Sequence, residues 1–105
     1  MPSTLKADRR FDLVVIGSGS AGGSAASRAR AGGHSVAIIE KDKVGGDCPN
    51  YACVPTKALL RSAKVYALLK RGDEFGLRPG TVDFDWDRVM ARKEEIVRQT
   101  GTATA

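Results

Sequence analysis

The chain turns from a polar, charged opening, "MPSTLKADRR", to an almost continuous apolar run, "FDLVVIG" at positions 11–17. A short β-branched run of this kind predicts a parallel strand covered on both faces. Small residues at helical spacing follow over 20–31, and "AGG" at 31–33 supplies the glycines that helix C-termini favour. "SVAIIE" at 35–40 predicts a second buried strand. Strand, helix and strand in this order make a βαβ unit with a right-handed crossover. Further on, Leu59, Ala63 and Tyr66, and then Trp86, Val89, Met90, Ile96 and Val97, recur at helical spacing and predict two helices whose stripes are core. The pattern is that of an α/β protein, a Rossmann-like βαβ unit followed by two helices.

At 105 residues a single core is the expectation, burying roughly 60 to 70% of the unfolded surface. The 12 glycines gather in the first half as turns, and no internal repeat is visible. The apolar run nearest the N-terminus is too short for a signal peptide or a membrane span, so a cytoplasmic protein with no membrane partner is expected. The formal net charge of +5 invites a nucleic-acid reading. The basic residues are spread along two helical faces, however, and aromatics are few, which fits solvated helix surfaces with some pull on anionic cofactors.

Between the first strand and the helix stands "GSGSAG", with Gly17, Gly19 and Gly22 in the spacing G-x-G-x-x-G. Gly17 serves the tight turn, Gly19 lets backbone approach a pyrophosphate, and Gly22 allows helix to pack on strand. The helix N-terminus adds free N–H groups and a positive dipole. Glu40 ends the second strand, placed to accept hydrogen bonds from an adenosine ribose. The motif follows a strand and opens a helix, so dinucleotide binding is the reading. His34, the one histidine, lies in a glycine-rich turn and reads as a surface residue.

Both cysteines lie in "GGDCPNYACVPTK" at 45–57. In a cytosolic chain such a pair is more often catalytic or metal-binding than a structural staple. A zinc site needs four ligands, and the chain offers two cysteines and a distant histidine. Inert thiols would need neither the lysine nor the glycines beside them. A redox pair is the reading that uses the spacing. Five residues of regular helix rise about 7.5 Å and turn about 500°, so Cys48 and Cys53 cannot both sit in ideal helix and still bond. The helix is therefore distorted here, or starts properly only near Pro55. Either way Cys53 lies near a helix N-terminus with Lys57 one turn on, and both features stabilise a thiolate. In the reduced full-length protein, Cys48, earlier in the loop, is expected to be the thiol more accessible to alkylating agents.

The stretch resembles the signature G-G-x-C-x-N-x-x-C-[VI]-P-[ST]-K of the flavin-dependent pyridine nucleotide-disulfide oxidoreductases, and lies nearest its dihydrolipoamide dehydrogenase and mercuric reductase-like members. The likeness extends over "GSGSAG", "IIEKDKVGGDC" and "FDWDRVMARKEEIV". It implies that the chain is the N-terminal segment of a larger flavoenzyme, over residues 1–105 part of a three-layer FAD domain, without the NAD(P)H-binding and dimerisation domains. The cofactor-binding residues it implies are Gly17, Gly19, Ser20, Ala21, Gly22, Glu40, Lys41, Gly46, Asp47 and Lys57, the first glycines and Glu40 on the ADP half. Cys53 would face the flavin ring and Cys48 would be the interchange thiol. Electrons would pass from NAD(P)H through FAD to the Cys48–Cys53 disulfide and on to a small disulfide or mercuric substrate, with no resident metal and in a homodimer when full length. The other reading is a truncated dinucleotide-binding module without turnover. Asp47, where many members have threonine, and "NYAC" in place of "NVGC" leave the substrate open. With two strands and little core, the isolated chain is expected to be poorly ordered or oligomeric, and inactive.

Overall fold

The strands pair in parallel, β1 (Leu13–Ile16) against β2 (Val36–Ile39), with Leu13 opposite Val36 and Ile16 opposite Ile39. The computed structural model describes residues 7–104, with side chains as far as Gly101. Positions 1–6, on which the expectation of no leader rests, and Ala105 lie outside the described residues. A clamp sets the register: the Asp12 carboxylate accepts from the amide and the hydroxyl of Ser35, each at 2.8 Å, and the Asp12 amide donates to that hydroxyl at 3.0 Å. At the other end the Gly17 amide donates to the Ile39 carbonyl at 2.8 Å.

Helix α1 (Ser20–Ala31) packs on both strands and buries Ala26. Its close start depends on Gly22, where a Cβ would stand 2.0 Å from the Gly17 carbonyl oxygen and 3.0 Å from Val15 Cγ1. It ends where the sequence places it, with the Gly32 amide returning to the Arg28 carbonyl and the Gly33 amide to the Arg30 carbonyl. This is a βαβ unit with one helical layer, a partial Rossmann-like arrangement.

The expectation of strands covered on both faces is corrected. Alternate positions of β1 are open to solvent, Val14 at 51% and Ile16 at 86% exposure, because among the described residues only α1 covers the sheet. The single core is corrected as well. The radius of gyration is 21.7 Å, against about 13 Å for a compact chain of 100 residues. The buried apolar residues Ala26, Ala58 and Val97 fall in two separate bodies.

The second body holds α2 (Asp47–Asn50), α3 (Cys53–Lys70), a 3₁₀ turn at Gly72–Phe75 and α4 (Trp86–Thr104). Helix α3 packs along α4, and the single turn of α2 touches both. The Ala58 carbonyl accepts from Arg92 Nη1 at 3.2 Å, and Tyr66 meets Phe84 edge to face, centroids 5.7 Å apart. The predicted helices are therefore present, but their stripes are thinner than expected. Val97 is buried and Val89, Met90 and Ile96 are half-buried, whereas Ala63 is exposed and Trp86, the first residue of α4, lines an open groove with Leu59 and Phe84.

Candidate functional site

The turn after β1 carries Gly17 at φ 94°, a backbone conformation that side chains disfavour. Gly19 then N-caps α1 at φ −67°, ψ −170°, and a Cβ there would meet nothing within 4 Å. No side chain among the described residues caps this end. The first amides of α1 and their dipole consequently face open space. A groove of ≈ 330 Å³ runs alongside, lined by Ser18, Gly19, Ser20, Ser24, Gly45 and Pro49. Ser20, Ala21 and Lys41 are exposed around it or just after β2, and Gly22 packs inward.

Glu40 leaves β2 half-buried. Its Oε2 accepts from both the hydroxyl and the amide of Ser18, the latter at 2.8 Å, and its Oε1 accepts from the Asp42 amide at 3.1 Å. These bonds, the Ser18 hydroxyl first, hold its carboxyl down at about 2 from an ordinary 4.5. Glu40 is thus an ionised, acceptor-only group beside the α1 N-terminus, already engaged by a residue that sequence reasoning passed over. Since the folded pKa is depressed, the stabilisation is fully present above pH 4.5 and is lost as pH falls through about 2. Wild type should therefore exceed Glu40→Gln in urea midpoint at neutral pH, with the gap closing across that window. A gap that stays constant down to pH 2 would remove this role from Glu40.

The thiol loop is built against the glycine loop. Gly46, at φ 77°, lies so close that a Cβ on it would stand 2.7 Å from Gly19 Cα, and the Gly45 amide donates to Ser18 Oγ at 3.0 Å. Asn50, a second residue that escaped notice, donates from Nδ2 to the Val44 and Gly46 carbonyls at 3.0 and 2.8 Å. Its place in the C-x-N signature was the signal available. Cys48 lies in α2, and the Tyr51 and Ala52 amides both return to the Asp47 carbonyl, at 2.7 and 2.8 Å. Ala52 (φ −122°, ψ −90°) then breaks the helix, and α3 opens at Cys53 with Pro55 in its first turn, where a missing N–H costs nothing. Of the two expectations, the distortion between the cysteines is present, whereas α3 starts at Cys53, two residues before Pro55.

Both cysteines are free thiols, close enough to share a hydrogen bond. In the chain itself Cys53 is the exposed thiol and Cys48 is half-buried. The bond to the Cys53 side chain, followed by burial and the Cys53 charge, pushes the Cys48 thiol above the usual value, and Lys57 pulls weakly the other way. Asp47 and Lys57 are exposed at either end of the loop. Tyr51, exposed between the thiols, donates to Asp42 Oδ2 at 2.7 Å and lies under the Lys43 ammonium, 5.1 Å from the ring centroid.

His34 stands at the opposite end of the strands, 4.0 Å from Asp12 and exposed, away from this chemistry. Among the described residues no group of three or more His, Cys, Asp or Glu side chains could hold a metal ion, and no helix is long and apolar enough to cross a membrane. Larger grooves of ≈ 490 Å³ follow α3, lined by residues such as Val65, Leu69 and Phe84, and are apolar faces remote from the thiols.

A family model described as pyridine nucleotide-disulphide oxidoreductase matches residues 11–104. Dihydrolipoyl dehydrogenase of Acholeplasma laidlawii is 39% identical over 98 residues, covering 92% of this chain and 29% of that protein. The enzymes of the same name from Chlorobaculum parvum and Zymomonas mobilis are 42% identical over 96 residues and 44% over 86. Those alignments cover 91% and 82% of this chain, and 20% and 18% of the relatives. The chain thus spans less than a third of the length of the curated relatives it matches.

Proposed function

The chain belongs to the pyridine nucleotide-disulphide oxidoreductase family, and we propose that it is the FAD-binding and dithiol portion of a flavoenzyme that exchanges two electrons between a pyridine nucleotide and a lipoyl-type disulfide. The observation that carries this reading is the seating of the thiol loop on the glycine loop, Gly46 against Gly19 and Gly45 on Ser18. One surface thereby offers an anion site at a helix N-terminus and a pair of thiols.

The residues fit the cofactor. The open space over Gly19 leaves room for a pyrophosphate against backbone, the free amides of α1 supply donors, and ionised Glu40 supplies an acceptor for ribose hydroxyls. Gly17, Gly19, Ser20, Ala21, Gly22, Glu40 and Lys41 would hold the ADP half, with Gly46, Asp47 and Lys57 toward the rest. FAD, when bound, supplies the two-electron relay between the nicotinamide and the thiols.

The chain's own step is thiol–disulfide exchange. The Cys48 sulfur attacks a substrate sulfur and forms a mixed disulfide, its thiol proton passing to the substrate sulfur that leaves. The Cys53 thiolate then attacks Cys48 Sγ, which closes the Cys48–Cys53 disulfide and expels the second substrate sulfur as a thiol. The substrate gains two electrons and the two thiol protons, and the cysteine pair loses them. The α1-free face of the sheet is the surface that the remainder of a longer protein would cover.

The test uses the full-length protein carrying this segment. It should purify with flavin and reduce lipoamide with NADH or NADPH far faster than glutathione disulfide or Hg(II). A flavin-free protein, or one that prefers Hg(II) or glutathione disulfide, would overturn the assignment.

A further inference from the structure

Ser18 is the one buried polar side chain among the described residues, 8% exposed, and it occupies a variable position of the glycine motif. Its hydroxyl proton is committed to Glu40 Oε2, so a lone pair of the same oxygen is turned to receive the Gly45 amide at 3.0 Å. This is the side-chain hydrogen bond that crosses between the glycine loop and the thiol loop among the described residues. Beyond Gly45 the chain has no slack: Gly46 is packed on Gly19, N-caps α2, and gives its carbonyl to Asn50, two residues past Cys48. A displacement of Gly45 therefore moves the helix turn that carries the Cys48 sulfur, while Cys53 stays with α3.

We propose that Ser18 is a positioning residue that sets the redox equilibrium of the Cys48–Cys53 pair, relaying the fixed carboxylate of Glu40 to the loop that holds Cys48. The inference rests on the reading of that pair as redox-active. Ser18→Ala removes the acceptor for Gly45 and one donor to Glu40 while keeping the Cβ, and the loosened loop holds Cys48 less well in bonding reach of Cys53.

In the full-length protein, the pair is equilibrated with mixtures of oxidised and reduced dithiothreitol. Oxidised dithiothreitol takes the two electrons and both thiol protons as the disulfide forms, and the fraction oxidised is read by alkylation and intact mass. The equilibrium constant for disulfide formation should fall about fivefold to tenfold in Ser18→Ala, the size of one lost hydrogen bond. Ser18→Thr, which keeps the hydroxyl, should restore it. An unchanged constant in Ser18→Ala, even with a lowered urea midpoint, would overturn the proposal, as would loss of folding in both variants, since Ser18 would then serve stability alone. Wild-type protein that never loses two hydrogens under oxidised dithiothreitol would instead overturn the redox reading itself, and the proposal with it.

Discussion

Gly19→Val in the full-length protein should emerge without flavin and melt at the temperature of the flavin-stripped wild type. The backbone at Gly19 is in a conformation open to any L-residue, and a Cβ would meet nothing within 4 Å, so the protein itself has no objection to the side chain. The space it fills is the space over the α1 N-terminus that a pyrophosphate needs. Losing the close backbone approach should weaken cofactor binding by at least about 100-fold, roughly 2.7 kcal/mol. Gly22→Ala makes the contrast. Its Cβ would stand 2.0 Å from the Gly17 carbonyl oxygen, which forces α1 off β1 and should lower stability by about 3 kcal/mol or more. Flavin titration and thermal melts separate the two. Wild-type flavin content in Gly19→Val would place the cofactor elsewhere.

This contrast shows what kind of information the sequence carries. The roles of Gly17, Gly19 and Gly22 are local, set by the turn from β1 into α1, and three spaced glycines suffice to read them. That the helix is distorted between the thiols was legible for a similar reason: two cysteines five residues apart cannot bond across continuous helix. Ser18 was not legible, because its partners Glu40 and Gly45 lie far along the chain and a serine in a glycine loop has no pattern of its own. The apolar runs of β1 and β2 misled in a different way. They report burial on two faces, while these residues supply one layer, and Ile16 is left bare.

The thiols carry the second large effect. Cys53 opens an 18-residue helix with Lys57 one turn on, whereas Cys48 has its thiol pushed up by the bond to Cys53. The negative charge of the reduced pair should therefore rest on Cys53, whose exposed sulfur is free to lie against the flavin ring. In the full-length enzyme, Cys48→Ser should keep a long-wavelength charge-transfer band on reduction, and Cys53→Ser should lose it. Disulfide turnover should fall about a thousandfold or more in both, as when a covalent nucleophile is removed. Alkylation supplies an independent check on the same geometry. Without cofactor the exposed Cys53 should react with iodoacetamide first, and flavin seated over it should invert the order, leaving Cys48 as the faster site. A band that survives in Cys53→Ser and vanishes in Cys48→Ser, with Cys53 still alkylated first in the loaded enzyme, would reverse the roles and show that helix position does not decide which sulfur faces the flavin.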